Sequence, residues 1–150
     1  MKLYLRHTPK DIETGLPKKY VSGLTPEQKE KQIKEIEKSK DIYKKTGIVR
    51  VREKVSDDKK RSPHVIKYEK IYGYPITDIA KVKKEFPDTD IDMIIKKGIG
   101  AYATAGSRPN QTPQSWAYAR LASVLTGGKA MIVDDKLIGE KDKKKILKNK

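Results

Sequence analysis

The sequence predicts a mainly α protein: one small helical domain with an extended N-terminal arm and a basic C-terminal tail. Three observations carry that expectation. Two segments open on threonine followed by proline, Thr25-Pro26 and Thr112-Pro113, which pair a capping hydroxyl with the residue best suited to a first helical turn. Apolar residues recur near three- and four-residue spacing after these starts. The chain has 150 residues, 35% hydrophobic and 37% charged, against a usual charged share of about 25%, so its apolar side chains suffice for one core. The expected division is an arm over 1–24, a helical domain over 25–138 and a basic tail over 139–150.

Residues 1–24 carry turn signals at Gly15, Pro17 and Gly23, with Leu16, Tyr20 and Val21 as anchors of an extended arm. Thr25-Pro26-Glu27-Gln28 is a capping-box pattern,. Ile33, Ile36 and Tyr43, widened by Ile42, form its apolar stripe, and Lys44, Lys45 and Gly47 form its stop,. Residues 48–55 alternate weakly: Val49, Val51 and Val55 point one way, Arg50, Arg52 and Lys54 the other,. A lone strand needs a partner, so this is either a short β-hairpin or edge strand in a small sheet or an extended arm. After the polar stretch 56–62, Pro63 opens a short helix with Val65, Tyr68 and Tyr72, ended by turns at Gly73 and Pro75.

Residues 77–97 read as a helical hairpin. Thr77 caps a segment with Ile79, Val82 and Phe86 on one face, Pro87-Asp88 breaks it, and Thr89 or Asp90 caps a segment with Ile91, Ile94 and Ile95. This is also the outline of a helix-turn-helix, but the residues left for base edges, Asp92, Lys96 and Lys97, are a poor reading set. From Ile99 to Gly128 the composition changes: Arg108 and Arg120 are the only charges. Ala101 to Thr112 reads as a loop, and Thr112-Pro113 opens a central helix bearing Trp116, Ala117, Ala119, Leu121, Ser123, Val124 and Leu125, closed by Gly127-Gly128. The tail from Gly139 holds six lysines and two acids and reads as a mobile segment or a frayed helix.

Charge points to a partner class. Lys+Arg is 35 against Asp+Glu 20, a net charge of +15, which favours a polyanion or an acidic surface. The absence of cysteine excludes disulfides and thiolate chemistry, and His7 and His64 are the only histidines, too few for most histidine metal sites. No run of 18 apolar residues is present for a membrane span, and the start shows no signal-peptide pattern, so the expectation is a soluble protein inside a cell or assembled there. No catalytic triad, phosphate loop or dinucleotide fingerprint is present; Gly98-Ile99-Gly100 lacks the third glycine and follows a helix,. No catalytic residue, metal site or cofactor is therefore expected. Asp134-Asp135 reads as a turn or cap sooner than a cation site.

The candidate anion or nucleic-acid contacts are Lys59, Lys60 and Arg61, Arg108, and Lys143, Lys144 and Lys145, since clustered cations suffice for sequence-independent phosphate binding. Two roles are open to Arg108. It lies before the helix at Thr112, where amides and a guanidinium hold an anion, or it pins its own loop, with Asn110 and Gln111 in similar roles. Tyr102, Trp116, Tyr118, Arg120 and Leu121, with Arg108, are the candidate structural or interface residues; for Arg120 an internal ion pair and an interface contact both stand. The eight tyrosines include some able to stack on bases, though most suit a core with one wet end,.

A resemblance adds to this. Gly98-Ile99-Gly100-Ala101-Tyr102, Gly106-Ser107-Arg108-Pro109-Asn110-Gln111-Thr112, Ser115-Trp116, Tyr118-Ala119-Arg120-Leu121-Ala122-Ser123, Leu125-Thr126-Gly127-Gly128-Lys129-Ala130 and Val133-Asp134 resemble an uncharacterised family of small basic proteins. Its members are encoded by large DNA viruses of algae and protists and, in looser form, by tailed phages. Leu16-Pro17-Lys18-Lys19-Tyr20-Val21 and Lys38-Ser39-Lys40 with Tyr43 resemble it too, so the likeness spans about residues 16–138 and is most specific over 97–134. It implies a viral origin and no established activity. Related phage segments accompany head and packaging genes, which implies a virion component. This chain departs from the pattern at Ile99, where many relatives carry an acid, and at Pro87-Asp88, where a helix-turn-helix would have glycine.

The expected function is that of a non-enzymatic minor capsid or core protein. Its neutral segment 99–128 packs as kernel or interface, and its basic arms contact other capsid proteins and genomic nucleic acid. It is expected in the virion, and in the host cytoplasm during assembly. The rival expectation is a sequence-nonspecific DNA- or RNA-binding accessory protein of the infected cell. A phosphoester-cleaving enzyme using Arg108 with Asp134 and Asp135 serves as contrast.

Overall fold

The computed structural model describes residues 16–56 and 61–150, and among them seven α-helices and no β-strand. The helices are α1 (Pro26–Thr46), α2 (Pro63–Tyr72), α3 (Ile79–Glu85), α4 (Ile91–Thr104), α5 (Pro113–Leu125), α6 (Lys129–Val133) and α7 (Glu140–Asn149). They fall into two compact units, Met1–Lys59 with Ala101–Thr112, and Lys60–Gly100 with Pro113–Lys150.

In the first unit, α1 begins as its sequence dictates. The Thr25 hydroxyl accepts from the Gln28 amide at 3.2 Å, and the Gln28 side chain accepts from the Thr25 amide at 3.0 Å, a complete capping box. Thr25→Ala is expected to lower stability by about 1 kcal/mol, read as a shift in urea midpoint without loss of overall helicity. The helix ends at Gly47, whose φ of 73° is left-handed. Its buried face is unusual: Ile36 is joined there by Gln32, Glu35 and Ser39, while Ile33, Ile42 and Tyr43 are only half-buried. Tyr20 and Val21, both buried, anchor the segment before α1.

Residues 47–55 run without a strand along this unit; Val55 is buried and Lys54 exposed as the alternation expects, but the pattern is inverted at Val51 and Arg52. Arg52 is buried and Val51 exposed. A strand needs a neighbouring ladder; here the amides of Arg52, Glu53 and Val55 are bonded to side chains of Tyr102, Glu35 and Asn110.

The second unit holds the larger apolar core: Tyr68, Ile76, Val82, Phe86, Ile91, Ile94, Leu121, Ala122, Val124, Leu125, Ile138 and Ile146. α2 starts at Pro63 behind the Ser62 cap. α3 is capped by Asp78, whose carboxylate accepts from the Lys81 amide, one residue after the Thr77 cap that is expected. Asp90 caps α4 through the Met93 amide. That helix does not stop near Lys97 but runs to Thr104, so Ala101–Thr104 is helical where a loop is expected. α5 packs with α2 and α6, and Gly98 of α4 lies so close to α5 that an added Cβ would fall 2.6 Å from the Ala117 Cα.

The basic C-terminal residues form α7, anchored by buried Ile146 and Asp142. The Asp142 carboxylate accepts from the Asp88 amide at 3.0 Å and the Thr89 hydroxyl at 2.6 Å, tying the α7 start to the turn before α4.

Candidate functional site

The most elaborate polar constellation is in the first unit and is centred on Arg52. One guanidinium nitrogen donates to the Ser39 hydroxyl at 2.7 Å and the Tyr102 carbonyl at 2.9 Å, and another to the Ser107 hydroxyl at 2.8 Å. The guanidinium carbon lies 3.6 Å from the Tyr102 ring centroid, a stacked cation–π contact. The Arg52 amide donates to the Tyr102 hydroxyl at 2.8 Å, which donates onward to the Gln111 carbonyl at 3.2 Å. Gln32 adds bonds to the Tyr20 and Ser107 carbonyls. One side chain thus fastens α1, the 47–55 segment, the last turn of α4 and the loop after it. Burial pushes the Arg52 pKa below the usual arginine value, yet a guanidinium keeps its charge in a protein.

Beside it, Glu35 receives a bidentate contact from Arg50 at 3.0 and 3.3 Å and the Glu53 amide at 2.7 Å. Burial acts to raise the Glu35 pKa, but the Arg50 bonds and the Glu53 amide outweigh it, and the carboxyl is held below its usual range. The folded value lies below the unfolded one of about 4.3, so this contribution is complete above the unfolded value and is lost as pH falls through the folded one. Urea midpoints measured from about pH 6 to 3 are expected to fall in the wild type, and Glu35→Gln is expected to flatten part of that slope. Asn110, with φ of 65°, completes the loop: its carbonyl oxygen accepts from the amides of Val55 and Ser56, and its NH2 donates to the Ser56 hydroxyl.

Arg108 is exposed, while its neighbour Ser107 is buried. The internal guanidinium is that of Arg52, and Tyr102, fully buried, is its platform. In the second unit Arg120 makes a two-point ion pair with the buried Asp134, at 2.9 and 2.8 Å, and Lys97 approaches the same carboxylate at 3.6 Å. Asp134 is thereby engaged by cations, and Asp135, exposed, pairs with Lys143 at 3.0 Å. Leu121 is in the core, while Trp116 and Tyr118 are half-buried. Among the described residues no three His, Asp or Glu side chains converge as metal ligands.

The expected basic clusters are placed as follows. Lys59 and Lys60 lie outside the described residues. Arg61 pairs with Glu69 at 2.8 Å. Lys143 is held by Asp135 and Glu140. Lys145 bonds the Glu85 carboxylate and its carbonyl, and its ammonium lies 5.0 Å from the Phe86 ring centroid. Of that triplet Lys144 alone is exposed. Exposed cations outside these pairs are spread along the helices; among them Lys31, Lys40 and Lys44 on α1, Lys67 and Lys70 on α2, Lys84 on α3, Lys96 on α4, and Lys141, Lys144 and Lys148 on α7 make no ion pair among the described residues.

Sequence reasoning missed Arg52 because alternation assigns it to the outer face with Arg50 and Lys54. A weak signal existed: Ser107 and Tyr102 lie in a stretch without acids, a set of neutral acceptors that suits an arginine arriving from elsewhere.

The sequence model of a family of unknown function, DUF5824, matches residues 17–145. Neither a curated protein nor a solved structure matches the chain.

Proposed function

We propose that this chain, which belongs to the DUF5824 family of unknown function, is a non-enzymatic structural component of a virus particle, a minor capsid or core protein whose basic surface contacts acidic capsid faces or packaged genome. The observation that carries this reading is how charge is used. Three acids, Glu35, Asp134 and Asp142, are buried, and exposed lysines that make no ion pair among the described residues stand on α1, α2, α3, α4 and α7. A net +15 chain arranged this way presents a cationic exterior, and such an exterior attracts polyanions without needing a shaped pocket. The resemblance over residues 97–134 supports a viral setting.

Sedimentation of intact particles tests the reading directly: the chain is expected to pellet with them and to be released by salt. A chain that is monomeric and absent from purified particles overturns it. In that event, duplex binding that weakens steeply between about 50 and 200 mM salt would favour the accessory nucleic-acid-binding role.

A further inference from the structure

The second unit has an open cleft of about 430 Å³ lined by Tyr72, Tyr74, Lys81, Lys84 and Glu85. Its tyrosines come from the end of α2 and the turn after it, its lysines from α3. Both rings are half-buried and held in place from beneath. Tyr72 tilts against Tyr68 at 4.7 Å between centroids and meets Phe86 edge-on at 5.5 Å. The Tyr74 and Tyr68 hydroxyls are 2.7 Å apart, and their rings meet edge-on at 5.8 Å. Cations already favour these rings: Lys81 lies 5.7 Å from the Tyr74 centroid and Lys145 5.8 Å from that of Tyr72.

The charges around the cleft do not cancel. The Glu85 carboxylate is taken by Lys145. Lys81 has only a loose contact with Asp78 at 3.9 Å, between two exposed side chains, which contributes little. Lys84 makes no ion pair among the described residues. An anchored pair of aromatic rings is thus rimmed by available ammonium groups.

We propose that this cleft binds single-stranded nucleic acid, with a base stacked on Tyr74 and Lys81 and Lys84 on the flanking phosphates. Stacking accepts any base, and the lysines recognise the backbone, so binding is sequence-independent. A duplex fits poorly because its bases are already stacked and paired. The proposal rests on the polyanion-contacting reading above and names the ligand for one part of that surface.

The test compares a labelled oligothymidylate with an abasic strand of equal phosphate count, by fluorescence anisotropy on the full chain at about 150 mM salt. The base-bearing strand is expected to bind roughly tenfold tighter. Tyr74→Leu is expected to erase most of that preference. Lys81→Ser with Lys84→Ser should weaken both strands several-fold at unchanged thermal stability, whereas Lys40→Ser with Lys44→Ser on α1 should keep the preference. Equal affinity for both strands, or tighter binding of a duplex, overturns the cleft and leaves the polyanion reading standing. Preference unchanged in Tyr74→Leu, or binding unchanged in the Lys81/Lys84 double variant, also overturns the cleft. Binding of neither strand at low salt overturns the cleft and removes genome from the proposed contacts.

Discussion

Arg52→Ala is expected to lower the stability of the chain by about 3–4 kcal/mol, the largest loss for a single truncation in the first unit. Among the described residues the guanidinium is the sole donor bridging Ser39, Tyr102 and Ser107. Its removal leaves two hydroxyls and a carbonyl facing a void, together with the exposed face of a buried tyrosine. Unmade bonds in a buried site cost more than made ones contribute. Arg52→Lys is expected to recover less than half, because one ammonium cannot span three acceptors while lying flat on the Tyr102 ring. Urea unfolding of the three proteins measures the difference. Amide exchange should show protection lost first at the Arg52, Glu53 and Val55 amides, which are bonded to side chains of Tyr102, Glu35 and Asn110. A lysine variant as stable as wild type would show that charge alone, without the planar fork, holds the segment.

Gly98→Ala and Gly100→Ala are expected to move stability in opposite directions, though they lie one residue apart in the same helix. At Gly98 the new methyl would meet the Ala117 Cα at 2.6 Å and its Cβ at 2.9 Å. Backbone cannot rotate away, so α4 and α5 must separate at that point, and overpacking of this kind costs about 1–3 kcal/mol. Because α5 is lined with the core residues Leu121, Val124 and Leu125, the displacement spreads and the upper end of that range is expected. At Gly100 an added Cβ meets nothing within 4 Å, and alanine should stabilise the helix by about 0.5–1 kcal/mol. Paired thermal melts decide it; equal and favourable shifts at both positions would mean that α4 and α5 are not in close contact at Gly98.

What was legible in the sequence was local. The α1 capping box, the Pro63 start of α2, the Pro113 start of α5 and the apolar faces of Val82 with Phe86 and Ile91 with Ile94 depend on neighbours a few residues away. Where expectation and structure part, distant partners decide. The hairpin is expected to end at residue 97 with Gly98-Ile99-Gly100 following it, yet α4 continues through both glycines; Gly98 lets α5 come close, and packing outweighs propensity,. Arg120 and Asp134 were each visible, but their pairing spans 14 residues and no periodicity announces it. Arg52 and Ser107 lie 55 residues apart, and an alternating pattern assigns that arginine to solvent. The basic triplet at 143–145 looks like one patch in a linear reading; helical geometry points Lys143, Lys144 and Lys145 in different directions and pairs two of them with acids of the same unit.

The neutral company of Arg52 has a practical meaning for a protein with a cationic exterior. Hydroxyls and carbonyls do not titrate between mild acid and mild base, and a desolvated guanidinium is scarcely reached by dissolved ions. The clasp therefore stays shut under a rise in ionic strength that would strip the proposed anionic partner from the outer lysines. Such a molecule would let go of its anionic neighbour in brine and come away still folded, ready to rebind on dilution.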